Sequence, residues 1–356
     1  MPKIGKMKLS VASPGHAEAL KAILKSTKGM VCEVFISSSS EFIGSIRSIL
    51  GADANYIEEL AAQVELAHKH GVSVNVVANT TCLGGYHLTR EGQNAVKWYL
   101  KKLEEVGVDS VTVTDPFFLE MVVENYDMEV AVSCLAHVDS VERALFFEEL
   151  GAKYITLDTN INRDFETLEK IREATSCELK LIVNESCIWK CPFRYQHANL
   201  TSHFYGVDRK VGMLSDYYHD RCATMRVRNP TLIIKSPWIR PEDLKEYEKI
   251  GIHFFKIAGR TQPVNWIVRA LRAYEERSFD GNLLELLDVT RELRDLFYVP
   301  NKELEGAIEK WKYCSRNCKE CGFCEELTMR VFRVWAHKGT EKERLLPLSE
   351  FRNLRK

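Results

Sequence analysis

Short apolar, β-rich runs alternate with amphipathic stretches through the first three quarters of the chain. The runs are MKLSVAS from Met7, VCEVFIS from Val31, VSVNVVAN from Val72, VDSVTVTDP from Val108, MEVAVS from Met128, KYITLDT from Lys153, ELKLIVN from Glu178, TLIIKS from Thr231 and IHFFKIAG from Ile252. Near-continuous apolar runs of this length predict strands. Between them, AEALKAILKST, YIEELAAQVELAHKHG, AVKWYLKKLEEVG and SVERALFFEELG carry their apolar residues at helical spacing. Each ends at glycine or just before one, the residue that stops a helix without steric cost. Regular alternation predicts a parallel sheet, and eight units close an α/β fold, the (β/α)8 barrel of TIM type. Nine runs leave one over. TLIIKS is the surplus one, because it falls inside an unusually long excursion between Asn184 and Ile252, and long loops in compact domains are usually functional.

After Arg260 the pattern becomes helix alone: NWIVRALRAYEER, NLLELLDVTRELRDLF and KELEGAIEKWKY. These lead into CSRNCKECGFCEEL and a basic, poorly periodic tail, KGTEKERLLPLSEFRNLRK. The predicted division is a barrel over residues 1–262 and a helical, cysteine-rich extension over 263–356.

Composition narrows the class. A chain of 356 residues suits one barrel with an appendage. Net charge −1 gives no global attraction to nucleic acid or anionic membrane. The N-terminus MPKIGKMKLS lacks the apolar segment of a signal peptide and no run is long enough to span a bilayer, so a cytoplasmic location is expected. Eleven cysteines in a chain large enough to build its own core point to metal or redox chemistry instead of disulfides.

Cys314, Cys318, Cys321 and Cys324 form C-x3-C-x2-C-x2-C. Thiols this close cannot all point into a core, and a soft metal centre needs about four of them. The dense spacing resembles ferredoxin runs, so a [4Fe–4S] cluster is expected, with zinc as the alternative. The first three also match the C-x3-C-x2-C of radical S-adenosylmethionine enzymes. That motif, however, belongs after the first strand of a barrel, and a fourth thiolate leaves no open iron.

A second group lies in the long excursion: Cys187 and Cys191 in NESCIWKCPFR, and Cys222 in HDRCATMR. The excursion follows the seventh strand, on the face where barrel enzymes keep their active sites. A fourth thiol there comes from Cys134 or Cys82, each just past a strand, with Cys134 closer to its strand end. Cys32 and Cys177 read as packing residues. Polar residues gather at the same strand ends: Asn79, Asp115, His137, Asp158, Asn184, Glu185, Lys256 and Arg260. Glu185, Lys256, Arg260 and His137 are taken as the catalytic set, Lys256, Arg260 or Arg240 as holders of an acidic co-substrate. His197 and His203 flank the cysteine loop as ligands, proton carriers or solvated side chains.

The sequence resembles the peptidase U32 family over about residues 7 to 262. The resemblance is carried by LSVASPGHAEALKAIL, by DSVTVTDP, and most specifically by PWIRPEDLKEYEKIGIHFFKIAGR. Better-understood members similar to this chain are oxygen-independent hydroxylases of the ubiquinone pathway, which act as a pair of related proteins, or of ribosomal and transfer RNA. The resemblance implies a [4Fe–4S] cluster at the barrel mouth, ligands Cys187, Cys191 and Cys222, and prephenate as oxygen source. CIWKCPFRYQH departs from the hydroxylase spacing, and the C-terminal four-cysteine run is an addition, pointing to a separate branch, of a kind suited to a strict anaerobe.

The expected function is an iron–sulfur oxidoreductase or hydroxylase acting without O2 on a small molecule or RNA. The mouth cluster would sit at the active site and the C-terminal cluster would relay electrons from a donor, with a related U32 protein as a further partner. The alternatives are a peptidase with structural zinc at the C-terminal cysteines, for which no Ser–His–Asp or H-E-x-x-H pattern is evident, or an RNA-modification subunit that uses the basic tail, Arg330 and Arg333.

Overall fold

Eight parallel strands close on themselves in chain order in the computed structural model, which describes residues 6–38, 45, 55–205 and 216–353. The extreme N-terminus and the last three residues of the basic tail lie outside the described residues. The strands are β1 Lys8–Ala12, β2 Val31–Ser37, β3 Ser73–Ala78, β4 Ser110–Val113, β5 Glu129–Val132, β6 Tyr154–Thr156, β7 Glu178–Ile182 and β8 Phe254–Ile257. β8 pairs back onto β1, with Lys256 opposite Ser10. The first six helices follow their strands: α1 Ala17–Ser26, α2 Tyr56–Lys69, α3 Arg90–Val106, α4 Pro116–Asn125, α5 Val141–Glu149 and α6 Phe165–Ala174. Their boundaries are written in cap chemistry. Thr89 accepts from the Gly92 amide to start α3, Asp115 with Pro116 at the first position starts α4, and Ser140 and Asp164 start α5 and α6.

The excursion after β7 holds α7 Arg194–Tyr205, α8 Tyr217–Arg228, α9 Thr231–Ile234 and α10 Leu244–Lys249. TLIIKS is α9, a helix entered from Pro230, whose buried Thr231, Ile233 and Ile234 face the core. A short apolar run carries no periodicity that separates a buried helix from a strand. β8 is followed by Gly259 at φ 137°, where any Cβ would stand 2.4 Å from the Trp266 ring. Only glycine makes this turn, which delivers Arg260 to the mouth. Helix α11, Val264–Glu276, then packs on α1 and β1 as the eighth barrel helix, so the last (β/α) unit runs past residue 262.

The extension is helical, as expected, and adds a small sheet that the sequence pattern did not indicate. It contains α12 Arg291–Leu296, β9 Phe297–Tyr298, α13 Ala307–Lys312, α14 Cys318–Cys321, α15 Phe323–Val331, β10 Arg333–Ala336, β11 Arg344–Pro347 and α16 Leu348–Asn353. The three strands form an antiparallel sheet in the order β11-β10-β9. NLLELLDVTRELRDLF does not continue as one helix because Asn282 binds both ends of it. Its amide oxygen accepts from Leu284 N and Val299 N at 3.2 and 2.9 Å, and its amide nitrogen donates to Phe297 O at 3.0 Å. Extension and barrel share one apolar core, from Met7 to Leu348. Among the described residues no helix is long and apolar enough to cross a membrane.

The barrel interior is polar. Asn75 donates to Ser110 Oγ at 2.7 Å and accepts from Thr112 Oγ1 at 2.6 Å. Glu33 on β2 forms a buried ion pair with Lys180 on β7 and accepts from Ser10 Oγ at 2.5 Å. Those two strands are separated by β8 and β1 around the wall, so the pair crosses the interior. Lys180 Nζ also lies over the Tyr154 and Phe254 rings, at 4.2 and 4.4 Å. Burial opposes ionisation of Glu33, but Lys180, Lys256 and the Ser10 hydroxyl outweigh it and hold the carboxyl below its ordinary range. Glu33→Gln leaves Lys180 buried and unpaired, and is expected to cost about 3–5 kcal/mol by urea unfolding at pH 7. Because the folded-state value is depressed, the Glu33 contribution is complete above the unfolded carboxylate value, about 4.3. It declines as pH falls through the folded value, so the gap between wild type and variant narrows in acid.

Candidate functional site

The mouth is assembled from the ends of β5 to β8. After β5, Ser133 caps a single turn, Cys134–Ala136, that closes at His137 in the left-handed region, φ 55°. This turn aims the imidazole at the end of β6, where His137 Nδ1 lies 2.8 Å from Asp158 Oδ2. Asp158 also accepts from the Asn160 amide at 2.8 Å and pairs with Arg194 at 3.1 Å. Burial opposes its ionisation, yet the His137 hydrogen bond and Arg194 hold it below the usual carboxylate range. Tyr195 packs edge-on against His137, centroids 4.7 Å apart.

Arg194, the first residue of α7, is the centre of the mouth's positive charge. It donates to the Cys134 carbonyl at 3.4 Å and to Thr159 Oγ1 at 3.3 Å. Burial pulls its value down, but Asp158, Cys134, Cys187 and Glu185 together raise it. After β7, Glu185 folds back and accepts from the amides of Ser186 and Cys187, at 2.8 and 2.9 Å. The Cys187–Cys191 loop is pinned by Asn160, which accepts from Trp189 Nε1 through its carbonyl at 3.1 Å and from Lys190 N through its side chain at 2.7 Å. On α8, Cys222 Sγ accepts from Arg226 at 2.8 Å, and Cys222 stands within the electrostatic reach of Cys191, whose thiol is pushed up by burial.

The structure therefore places Cys134 and Cys187 about Arg194, and Cys191 with Cys222 beside Arg226. Cys134 faces Arg194, Glu185, Asp158 and Lys256; burial pushes its thiol up. Cys82 lies in a loop stitched to α7 through Thr81 and Ser202. On β8, Lys256 Nζ sits 4.0 Å over the Phe35 ring, one layer nearer the mouth than Lys180. Burial pushes it down to about 7, against Glu33, with Lys180 and Arg260 adding to the fall. Arg260 lies over the same ring at 5.6 Å and donates to Ser45 Oγ at 3.0 Å. Ser45 continues through Asn79 to Ser133 at 3.2 and 3.1 Å, linking β8 to the cysteine turn.

Other expected site residues are absorbed by structure. Arg240 is buried and bidentate on Asp243 at 2.9 and 2.8 Å, with a third bond to Asn301 O, so it is a clamp on the extension and not a substrate holder. Asp115 caps α4, and Asn184 bonds the Ala258 backbone. His197 pairs with Asp216 at 3.0 Å, Arg333 with Glu303 at 3.1 Å. Cys177 donates to Ala152 O at 3.0 Å and Cys32 points at Leu9 O, both in packing positions. Cys314, Cys318, Cys321 and Cys324 line one cavity on the extension. Sequence reasoning did not single out Arg194, Arg226, Glu33 or Lys180. For the last two a signal existed: a lone charge inside an apolar strand run.

Comparison with known proteins decides the family: residues 45–282 match peptidase family U32. The chain belongs to that family. An uncharacterized protease, MJ1657, of Methanocaldococcus jannaschii is 44% identical over 335 residues, 91% of this chain and 99% of that protein. Among solved structures, the U32 peptidase Mk0906 superposes with a TM-score of 0.54 at 26% identity, covering 73% of this chain and 96% of that one. The family match ends at residue 282, before the C-terminal cysteines.

The depressed Lys256 makes a pH prediction. Its folded value lies below the unfolded lysine value of about 10.4, so the folded state binds fewer protons between about 7 and 10. Burial of the amine is most costly below pH 7 and is relieved as pH rises. Wild-type stability relative to Lys256→Met is therefore expected to increase from pH 7 to pH 10, measured by urea unfolding of both proteins.

Proposed function

We propose that this U32 protein is an oxidoreductase of the oxygen-independent hydroxylase kind, with an iron–sulfur cluster held at the barrel mouth by Cys134, Cys187, Cys191 and Cys222. The observation that carries the reading is the mouth's donor set and its charge: four thiols from three segments, faced by the guanidinium groups of Arg194 and Arg226. Thiolates are the ligands a soft metal selects, and buried thiolates need cationic neighbours. When bound, such a cluster supplies one-electron redox chemistry or a Lewis-acidic iron.

The chain's own residues define the rest. Lys256 and Arg260 share the Phe35 face at the end of β8 and would hold the carboxylate of a small acidic co-substrate of the prephenate type. His137, its Nδ1 fixed by Asp158, keeps Nε2 for moving a proton at the substrate. That same pair is the one observation favouring the second reading, a peptidase. Against it, the neighbouring Cys134 thiol is pushed up and not activated as a thiolate.

The test is anaerobic purification followed by iron and acid-labile sulfide analysis with absorption and electron paramagnetic resonance spectra. Iron and sulfide in matching amounts, reduced in Cys187→Ala, support the reading; protein without either sinks it. Peptide cleavage abolished by His137→Ala would establish the peptidase instead.

A further inference from the structure

We propose that Cys314, Cys318, Cys321 and Cys324 bind a second [4Fe–4S] cluster, not a zinc ion, in a cup on the extension that backs onto the Cys187–Cys191 loop. The four thiols line one cavity of about 120 Å³ together with Lys235 and Trp311. Their dense spacing on one short segment is that of ferredoxin runs, whereas zinc ribbons more often split their cysteines into two separated pairs.

Two further features indicate an anionic occupant. Trp311 Nε1 is buried, and the acceptor it faces is Cys324 Sγ. A buried indole N–H directed at a cysteine sulfur matches a metal-bound thiolate. Behind it, Arg163 is held between Trp311 and Trp238, with its guanidinium carbon 3.7 and 4.5 Å from the ring centres. Arg163 donates to the carbonyls of Ile234 and Trp238 and makes no salt bridge among the described residues; Tyr247, Cys324, Asp243 and Cys314 act on it from a distance. A buried cation so weakly paired is costly unless the cup holds negative charge, and a cubane with four thiolates carries it.

A second cavity lies between the cup and the Cys187–Cys191 loop. Cys314, Cys318 and Cys324 line it, as do Asn160 and Trp189. Trp189 belongs to the loop between Cys187 and Cys191, so the cup opens toward the segment that carries those two thiols. The cluster's role, which rests on the mouth reading above, is to hold one electron for the mouth. It takes that electron from an external one-electron carrier, one ferric site becoming ferrous and no bond breaking, and returns to its oxidised state on passing it on.

The experiment uses full-length protein reconstituted anaerobically, with dithionite as the reductant, and compares wild type, Cys318→Ala, Cys187→Ala and Trp311→Phe. Cys318→Ala is expected to lose about four iron and four sulfide per chain while keeping the far-ultraviolet circular dichroism of wild type. Trp311→Phe keeps its iron but shifts the midpoint of the cup cluster downward, because a hydrogen bond to sulfur is lost. Unchanged iron in Cys318→Ala, zinc in the cup of wild type, or an unshifted midpoint in Trp311→Phe overturns the proposal. Loss of iron in Cys318→Ala but not in Cys187→Ala sustains the cup cluster, and removes the mouth cluster and with it the relay.

Discussion

The fold is organised around one buried ion pair, Glu33 with Lys180, stretched across the inside of the barrel between strands that do not touch. An uncompensated charge there would cost several kcal/mol, so β2 and β7 have to hold a common height in the wall. The pair has a second effect, one layer up. Glu33 serves Lys180 directly, and Lys256 receives only its more distant attraction, opposed by Lys180 and Arg260. Two lysines and one carboxylate in a low-dielectric interior cannot all be satisfied, and the residue left short is the one nearest the mouth. The polar interior that stabilises the barrel therefore also tunes the amine that faces the site.

At the mouth the corresponding organiser is Asp158. It holds His137 on one side and Arg194 on the other, so the ends of β5 and β6 and the start of α7 are fixed by a single carboxylate. Arg194 then faces Cys134 and Cys187. The U32 architecture in this chain places sulfur donors and a histidine–carboxylate pair within the same few strand ends. Their chemistry is separated by electrostatics: burial pushes the Cys134 thiol up, and the imidazole is oriented by a depressed carboxylate.

The barrel was legible in the sequence because its information is local. Apolar runs alternate regularly with amphipathic helices, several of them closed by glycine, and the strand ends carry polar residues to one face. That the cysteines of NESCIWKCPFR and of VSCLAHV follow β7 and β5 was legible for the same reason. What escaped was set by tertiary partners. Arg194 is an ordinary arginine until Asp158 and Cys134 surround it, and Arg240 reads as a ligand holder until Asp243 and Asn301 consume it. The small sheet of the extension escaped because Asn282 breaks the helical pattern through contacts with Phe297 and Val299 that the sequence does not disclose. Strands as short as β10 and β11 take their register from each other, not from alternation.

The Arg163 sandwich also has a consequence in time. Arg163 leaves the ribosome with the sixth strand of the barrel, whereas Trp311, which covers one face of its guanidinium, belongs to the extension and follows on the order of ten seconds later. Until then the ring stacked on it comes from Trp238 alone, which itself follows later in the chain. The loop after β6, which carries Asn160 and thereby the seat of the Cys187–Cys191 loop, reaches its final surroundings only when the last fifth of the chain has been made. A nascent barrel is thus complete as an architecture before it is complete as a site, and the C-terminal extension is what ends its immaturity.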